Sequence, residues 1–167
     1  MWYNVVGILD LSRLNFEKCG DYVICTFFGH NDTPKKIEPL LRSALIDLIE
    51  NKKADTFYVG NHGNFDRMVR KQLKQLKLEY THISYAVVLA YLPCKKNDYE
   101  DFSDTVYPEG FENTPPKYAI VKRNKWMIEQ ADYVVTYVKR TVGGAAQFKS
   151  LAEKRGKAVL NLADSYN

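Results

Sequence analysis

From residue 22 onward the chain alternates short apolar runs with stretches whose apolar positions recur at helical spacing. The run Tyr22-Val-Ile-Cys-Thr-Phe-Phe28 is β-branched and aromatic, and it stops at Gly29, which predicts a buried strand. Thr33-Pro34 then reads as a helix start, with Thr33 as cap and Pro34 in the first turn, where a missing N–H costs nothing. Ile37, Leu40, Leu41, Leu45, Leu48 and Ile49 line one face behind it. A second strand over 55–59 ends at Gly60. Asn64 reads as the cap of a helix in which Phe65, Met68, Val69, Leu73 and Leu76 share a face. A third strand over 84–92 stops at Pro93. Pro115-Pro116 opens a helix to about Gln130, and a fourth strand covers 132–138. Gly143-Gly144 begins a helix that Gly156 ends, and a fifth strand follows over 157–162.

This order implies a mostly parallel sheet of about five strands with helices on both faces. Right-handed crossovers make it an α/β, Rossmann-like, doubly wound domain. The segment 94–113 is polar, acidic and much longer than an ordinary connection, which suits a binding segment.

Length and composition add limits. With 167 residues, 46% of them apolar and 26% charged, the chain suits one ordinary globular domain rather than a disordered or collagen-like one. Twelve Tyr, eight Phe and two Trp supply rings for a core and for stacking on a flat ligand. A net charge of +4 is mild and spread over several segments, so it argues against a nucleic-acid footprint. Cys19, Cys25 and Cys94 are odd in number and show no CxxC spacing, so neither a disulfide framework nor a zinc site is expected. They read as reduced thiols of a cytoplasmic protein. No apolar run approaches the ~20 residues of a membrane span, and the first 20 residues lack the basic start of a signal peptide.

In doubly wound sheets ligands bind beyond the carboxyl ends of the strands, and the unusual residues of this chain fall there. Gly29-His30-Asn31-Asp32, Gly60-Asn61-His62-Gly63 and Arg140-Thr-Val-Gly143-Gly144-Ala145 each lie between a strand and a helix N-terminus. Glycine lets backbone approach a ligand, and free N–H groups with the helix dipole favour an anion such as phosphate. A strand–helix turn uses glycine in any case, so the weight lies in three such turns in one sheet. His30 and His62 are placed to donate to phosphate or to carry protons. Their spacing to Asp32 and Asp66 matches no common metal-ligand motif, and no metal or cofactor is expected. His82, just before a strand, reads as structural. The apolar positions of the 116–130 helix leave Arg123 to emerge near the sheet edge, where a guanidinium pairs with phosphate or carboxylate. Tyr107 and Glu109 offer a ring and a carboxylate on the long loop.

The pieces TFFGHNDTP, FYVGNHGNFDRMV, VVLAYLP, DTVYPEG, PPKYAIVKRNKWMI, ADYVVTYV, GGAAQF and GKAVLNL, in this order, resemble the YpsA-like branch of the SLOG superfamily over about residues 22–162. The superfamily takes its name from the DprA/Smf and Lonely Guy proteins. The resemblance implies a Rossmann-like domain, residues 21–167, that binds nucleotides or nucleotide-derived signals at the glycine turns, with residues 1–20 as an extension. Lonely Guy enzymes cleave the N-glycosidic bond of nucleoside monophosphates with an R-K-x-x-M helix followed by P-G-G-x-G-T-x-x-E. Arg123 and Met127 match the first motif, with Asn124 in place of its lysine. Gly143 and Gly144 match the glycine pair, Val142 stands for the proline, and Ala146 and Gln147 replace Gly-Thr. Ser150 occupies the place of the glutamate, and a hydroxyl cannot stabilise an oxocarbenium-like state or activate water as a carboxylate does.

The expectation is therefore a binder or sensor of a nucleotide-like small molecule. Its binding residues would be Gly29, His30, Gly60, Asn61, His62, Gly63, Arg123, Asn124, Gly143, Gly144 and Ala145. One alternative is a nucleoside-phosphate N-glycosidase, with Arg123 and a substitute carboxylate, Glu109 or Asp66, as catalytic candidates. A second is a nucleic-acid or protein adaptor, since DprA-type relatives bind single-stranded DNA. The Lonely Guy relatives also associate through helices beside the glycine turns, which implies a homodimer.

Overall fold

A computed structural model describes residues 22–92 and 104–166. The expected extension 1–20 and the first part of the long loop lie outside the described residues. The elements in chain order are β1 (Ile24–Gly29), α1 (Glu38–Glu50), β2 (Thr56–Val59), α2 (Gly63–Glu79), β3 (Ser84–Val88), β4 (Thr105–Val106), α3 (Pro116–Gln130), β5 (Tyr133–Tyr137), α4 (Gly144–Lys154) and β6 (Ala158–Asn161).

Among the described residues the sheet has six strands in the order β4-β3-β2-β1-β5-β6. Every pairing is parallel. The expected α/β Rossmann-like class is what the chain adopts. The strand count differs from the expectation because β4 is two residues inside a polar segment, too short to leave a periodic signal. The third strand also ends early, at Val88. Leu89 and Ala90 are buried by packing beyond the ladder, so apolar sequence continues where the strand has stopped.

Alternation along the central strands builds two cores. Cys25, Phe27, Phe57 and Val59 face α1 and α2, where Leu41, Leu45, Phe65, Val69 and Leu73 close over them. Ile24, Phe28, Tyr58, Val88 and Val134 face the other way, onto Met127 and Ile128 of α3 and Phe148 and Ala152 of α4. Phe28 stacks on Phe148 at 5.4 Å, and Tyr58 meets Trp126 at 5.2 Å. Burial raises the Cys25 thiol above its ordinary range, so it behaves as a small core hydrophobe.

Two capping expectations fail for local reasons. Thr33 does not cap α1: its Oγ1 donates back to the His30 carbonyl at 2.6 Å, and Lys35–Ile37 forms a 3₁₀ turn before the α-helix starts at Glu38. Asn64 is already helical, because Gly63 opens α2 and His62 holds the cap position without a side-chain bond. The other helix ends match the sequence, with Pro116 in the first turn of α3, Gly143 at the cap of α4, and Gly156 at φ +71 behind it.

β1 connects outward through β2 to β3 and β4, after which the chain crosses to β5 on the opposite side of β1. The order reverses at the β1–β5 boundary, the place at which open α/β sheets commonly hold ligands. Gly29 closes β1 at this point, and a Cβ built on it would stand 2.2 Å from the Phe65 ring. Gly29→Ala is expected to lose about 1–3 kcal/mol, the usual cost of overpacking. Gly144→Ala, which meets nothing within 4 Å, is expected to stay within about 0.5 kcal/mol of the parent. Urea denaturation of the two variants side by side checks the contrast.

Candidate functional site

The three glycine turns lie together beyond the carboxyl ends of β1, β2 and β5, tied by bonds that cross from loop to loop. Asn64 N–H donates to the Asn31 carbonyl at 3.0 Å, joining the turns after β1 and β2. Gly63, at φ +85, leaves room for Asn31, whose Oδ1 would be 2.4 Å from any Cβ there. His30 joins the turns after β1 and β5. Its backbone N–H donates to the Tyr137 carbonyl at 3.4 Å, and its Nε2 accepts from the N–H groups of Lys139 and Arg140 at 3.2 and 3.3 Å. Accepting at Nε2 requires a neutral ring protonated on Nδ1. Burial, and then the charge of Arg140, holds the His30 pKa below its ordinary value in accord with that. Arg140 Nη2 donates to both carboxylate oxygens of Asp32.

β6 adds a brace that the sequence did not signal. Asn161 Oδ1 accepts from Val138 N–H at 2.9 Å, while its Nδ2 donates to the Val138 carbonyl at 3.1 Å. The exit of β5 is therefore clamped from both sides, by Asn161 and by His30.

Around Gly60 the sequence expectation about Arg123 needs correcting. Arg123 does not emerge at the surface: it is 2% exposed. From α3 its Nη1 donates to the Val88 carbonyl at 3.1 Å and to Asn61 Oδ1 at 3.2 Å. Asp66, on the first turn of α2, is buried opposite and accepts from His62 N–H at 3.0 Å. Gly60 exists for this arrangement, since a Cβ there would stand 2.4 Å from Asp66 Oδ2 and 2.9 Å from Arg123 Nη1. Burial pushes the Asp66 pKa up to about 6, against the lowering by Arg123, the His62 N–H and Arg70. That value suits proton transfer, yet the carboxylate is walled in by Gly60, His62 and Arg123. Its evident work is to balance a buried guanidinium.

His62 is held below its ordinary pKa by burial and then by Arg123. Its Nε2 lies 3.4 Å from the Tyr91 hydroxyl, while its Nδ1 is buried with no hydrogen-bond partner. Asn124 is 8% exposed, and its Oδ1 is likewise buried and unpartnered. Tyr107 is not free to cover a ligand, because it packs edge-on against Phe111 and joins the first core. Glu109 is exposed in the turn that Lys122 fastens through Gly110 O at 2.6 Å and Thr114 Oγ1 at 2.9 Å. No bond recorded for the described residues links Glu109 to the glycine turns.

Gly143 and Gly144 differ from the other glycines of the rim. Gly143 has φ +102, and neither residue has a heavy atom within 4 Å of the place a Cβ would occupy. The N-terminus of α4 therefore faces open space, with no side-chain cap on its first N–H groups.

The fold and this rim define a Rossmann-like α/β domain with its glycine turns gathered at the point of strand reversal. The domain is similar to the X-ray structure of DNA processing protein A (DprA) from Streptococcus pneumoniae, with a TM-score of 0.61 and 15% sequence identity. The likeness covers 83% of this chain and 49% of that one, so the chain spans about half the length of the neighbour. It is a likeness of fold. No protein-family profile matches the chain, and no curated protein matches it in sequence.

The Arg123–Asp66 arrangement predicts a stability that depends on pH. The folded carboxyl takes its proton near 6 and the unfolded one near 3.8, so the folded state holds more protons between these values. Stability contributed by this group is full below pH 3.8 and is lost as pH rises through 6. Removing Arg123 removes the main charge that lowers the Asp66 pKa, so the window moves upward. Arg123→Met is expected to cost about 3–5 kcal/mol at neutral pH, with a smaller deficit at pH about 5 than at pH about 8. Urea denaturation at both pH values measures it; a deficit equal at both would refute the coupling.

Proposed function

We propose that this domain binds a nucleotide or a nucleotide-derived ligand in the crevice between the β1 and β5 loops. Its phosphate would rest on the N–H groups of Gly144 and Ala145 at the start of α4. The observation that carries the reading is the contrast among the glycines. Gly29, Gly60 and Gly63 make room for Phe65, for Asp66 with Arg123, and for Asn31, whereas Gly143 and Gly144 make room for nothing among the described residues. Uncapped N–H groups at a helix start, with the dipole behind them, form an anion site of this kind. The buried, unpartnered Asn124 Oδ1 supports the same reading, because an acceptor left dry costs free energy until a donor arrives. His30 and Asn161 set the loop, and Arg123 with Asn61 sets the neighbouring turn, so both act by positioning.

The reading extends to membership of the YpsA-like branch, to a cytoplasmic setting and to a homodimer. Tyr118 and Val121, exposed apolar residues on α3, support the last as a pairing surface. Among the described residues no helix is long and apolar enough to cross a membrane. Glycosidic cleavage gains no support: Asp66 is enclosed, and Ser150 replaces the glutamate of the enzymes.

The test is a thermal-shift and calorimetric screen of nucleoside mono-, di- and cyclic phosphates. At least one is expected to bind. Gly144→Pro removes one N–H at a position where proline is compatible with helix initiation, and it should weaken that ligand about tenfold or more. The absence of any binder would overturn the reading, and equal binding by the proline variant would overturn the placement of the phosphate.

A further inference from the structure

The turn after β1 and the loop after β5 meet at one imidazole. His30 Nε2 accepts from two consecutive backbone N–H groups, Lys139 at 3.2 Å and Arg140 at 3.3 Å, just past the carboxyl end of β5. On one side of this point Asn161 holds both backbone groups of Val138. On the other side Thr141 and Val142 are exposed, and the loop runs into Gly143 and the open N-terminus of α4. The Arg140–Asp32 pair also ties the loop to the β1 turn, but it is an exposed ion pair of the kind that contributes little. His30 is therefore the main fastening of the loop at this place.

Both bonds to His30 use one lone pair, and a proton on Nε2 removes it. An imidazolium would aim an N–H at two other N–H groups, so both bonds would be lost in a single step. Histidine is the side chain that ordinarily makes this change between about pH 5 and 8. Among the described residues, burial and the charge of Arg140 oppose the proton, while the charge of Asp32 favours it. The balance keeps the ring neutral at neutral pH. Stability contributed by the two bonds is thus full above about 6.5, and it is lost as pH falls through the lower value of the folded state.

We propose that His30 is a proton-operated clasp: the neutral ring fixes the β5–α4 loop against the β1 turn, and the protonated ring releases it. The clasp needs no ligand. Its effect on binding rests on the anion site proposed above: release of the loop unsettles the N–H groups of Gly144 and Ala145, so an anion held there is let go in acid. A ring that touched the anion directly would do the opposite, since its positive charge would tighten binding as pH falls.

The experiment is an NMR titration of the full, isotope-labelled chain from pH about 8 to about 4.5. The His30 ring is expected to titrate below about 6.5, and the Lys139 and Arg140 amide signals should move with the same midpoint. Hydrogen exchange of these amides, relative to free peptide at the same pH, should speed about tenfold or more once the ring is charged. His30→Gln keeps an uncharged acceptor of similar reach and should abolish both responses. Arg140→Gln removes a charge that opposes the proton and should raise the midpoint, whereas Asp32→Asn should lower it. Amides that stay still while the ring titrates would overturn the clasp, as would a response that survives in His30→Gln. A response driven by Asp66, which also takes its proton near 6, would survive in that way. A midpoint that neither charge variant moves would likewise overturn the clasp, whether or not His30→Gln folds. Sulfate, whose charge is constant over this range, probes the second step through the Gly144 and Ala145 amides. Its binding should weaken about tenfold from pH about 7.5 to about 5, and not in His30→Gln. Tighter binding in acid would overturn release and make the ring a direct ligand. No sulfate response at any pH would overturn the anion site and leave the clasp standing, so the two fail separately.

Discussion

The carboxyl-terminal rim of the sheet is organised around one buried guanidinium. Arg123 reaches from α3 across the ends of two strands to the Val88 carbonyl and the Asn61 side chain, with Asp66 of α2 beside it. A buried charge is tolerated when an opposite charge lies close and hydrogen bonds hold it in place. That requirement fixes the separation of α2 from α3 across the sheet, and it forbids a side chain at residue 60. The turn after β2 then has one permitted shape. Through Gly63 and Asn31 it passes that constraint to the turn after β1, and His30 passes it on to the turn after β5.

Rigidity of this kind separates side chains that shape the rim from backbone that stays open. His30 spends its free lone pair on two backbone N–H groups, and Arg140 spends its Nη2 on Asp32. Neither is idle, but their bonds are internal. What stays open among the described residues is backbone at the start of α4. The bonds around that backbone hold the neighbouring loops still.

Charge is distributed with a similar division. Several exposed cations are neutralised locally, Arg42 by Glu79, Lys149 by Glu153 and Arg155 by Glu129. Such pairs contribute little stability and leave little field. On the outer face of α2, Lys71 and Lys77 pair likewise with Glu38 and Asp104, while Arg67, Arg70 and Lys74 have no ion pair among the described residues. A net charge of +4 over the whole chain hid this concentration, because a sum over residues carries no information about which of them share a helix face.

Amino-acid order by itself determined the α/β class, the positions of the four helices, the five strands with an apolar run, and the meeting of glycine turns on one rim. These follow from local periodicity and from the handedness of parallel crossovers, which act within a few residues. Sequence did not reveal β4, whose two residues are held by pairing with β3 rather than by pattern. Nor did it reveal that Arg123 lies inside, because a helix with polar residues on a buried face looks the same on paper as one with them in water. Asn161 gave no signal either, since its bonds to Val138 span strands that meet only after folding. Which glycines clear space for neighbours and which leave backbone bare was decided by packing between distant segments, and only the tertiary structure contains those distances.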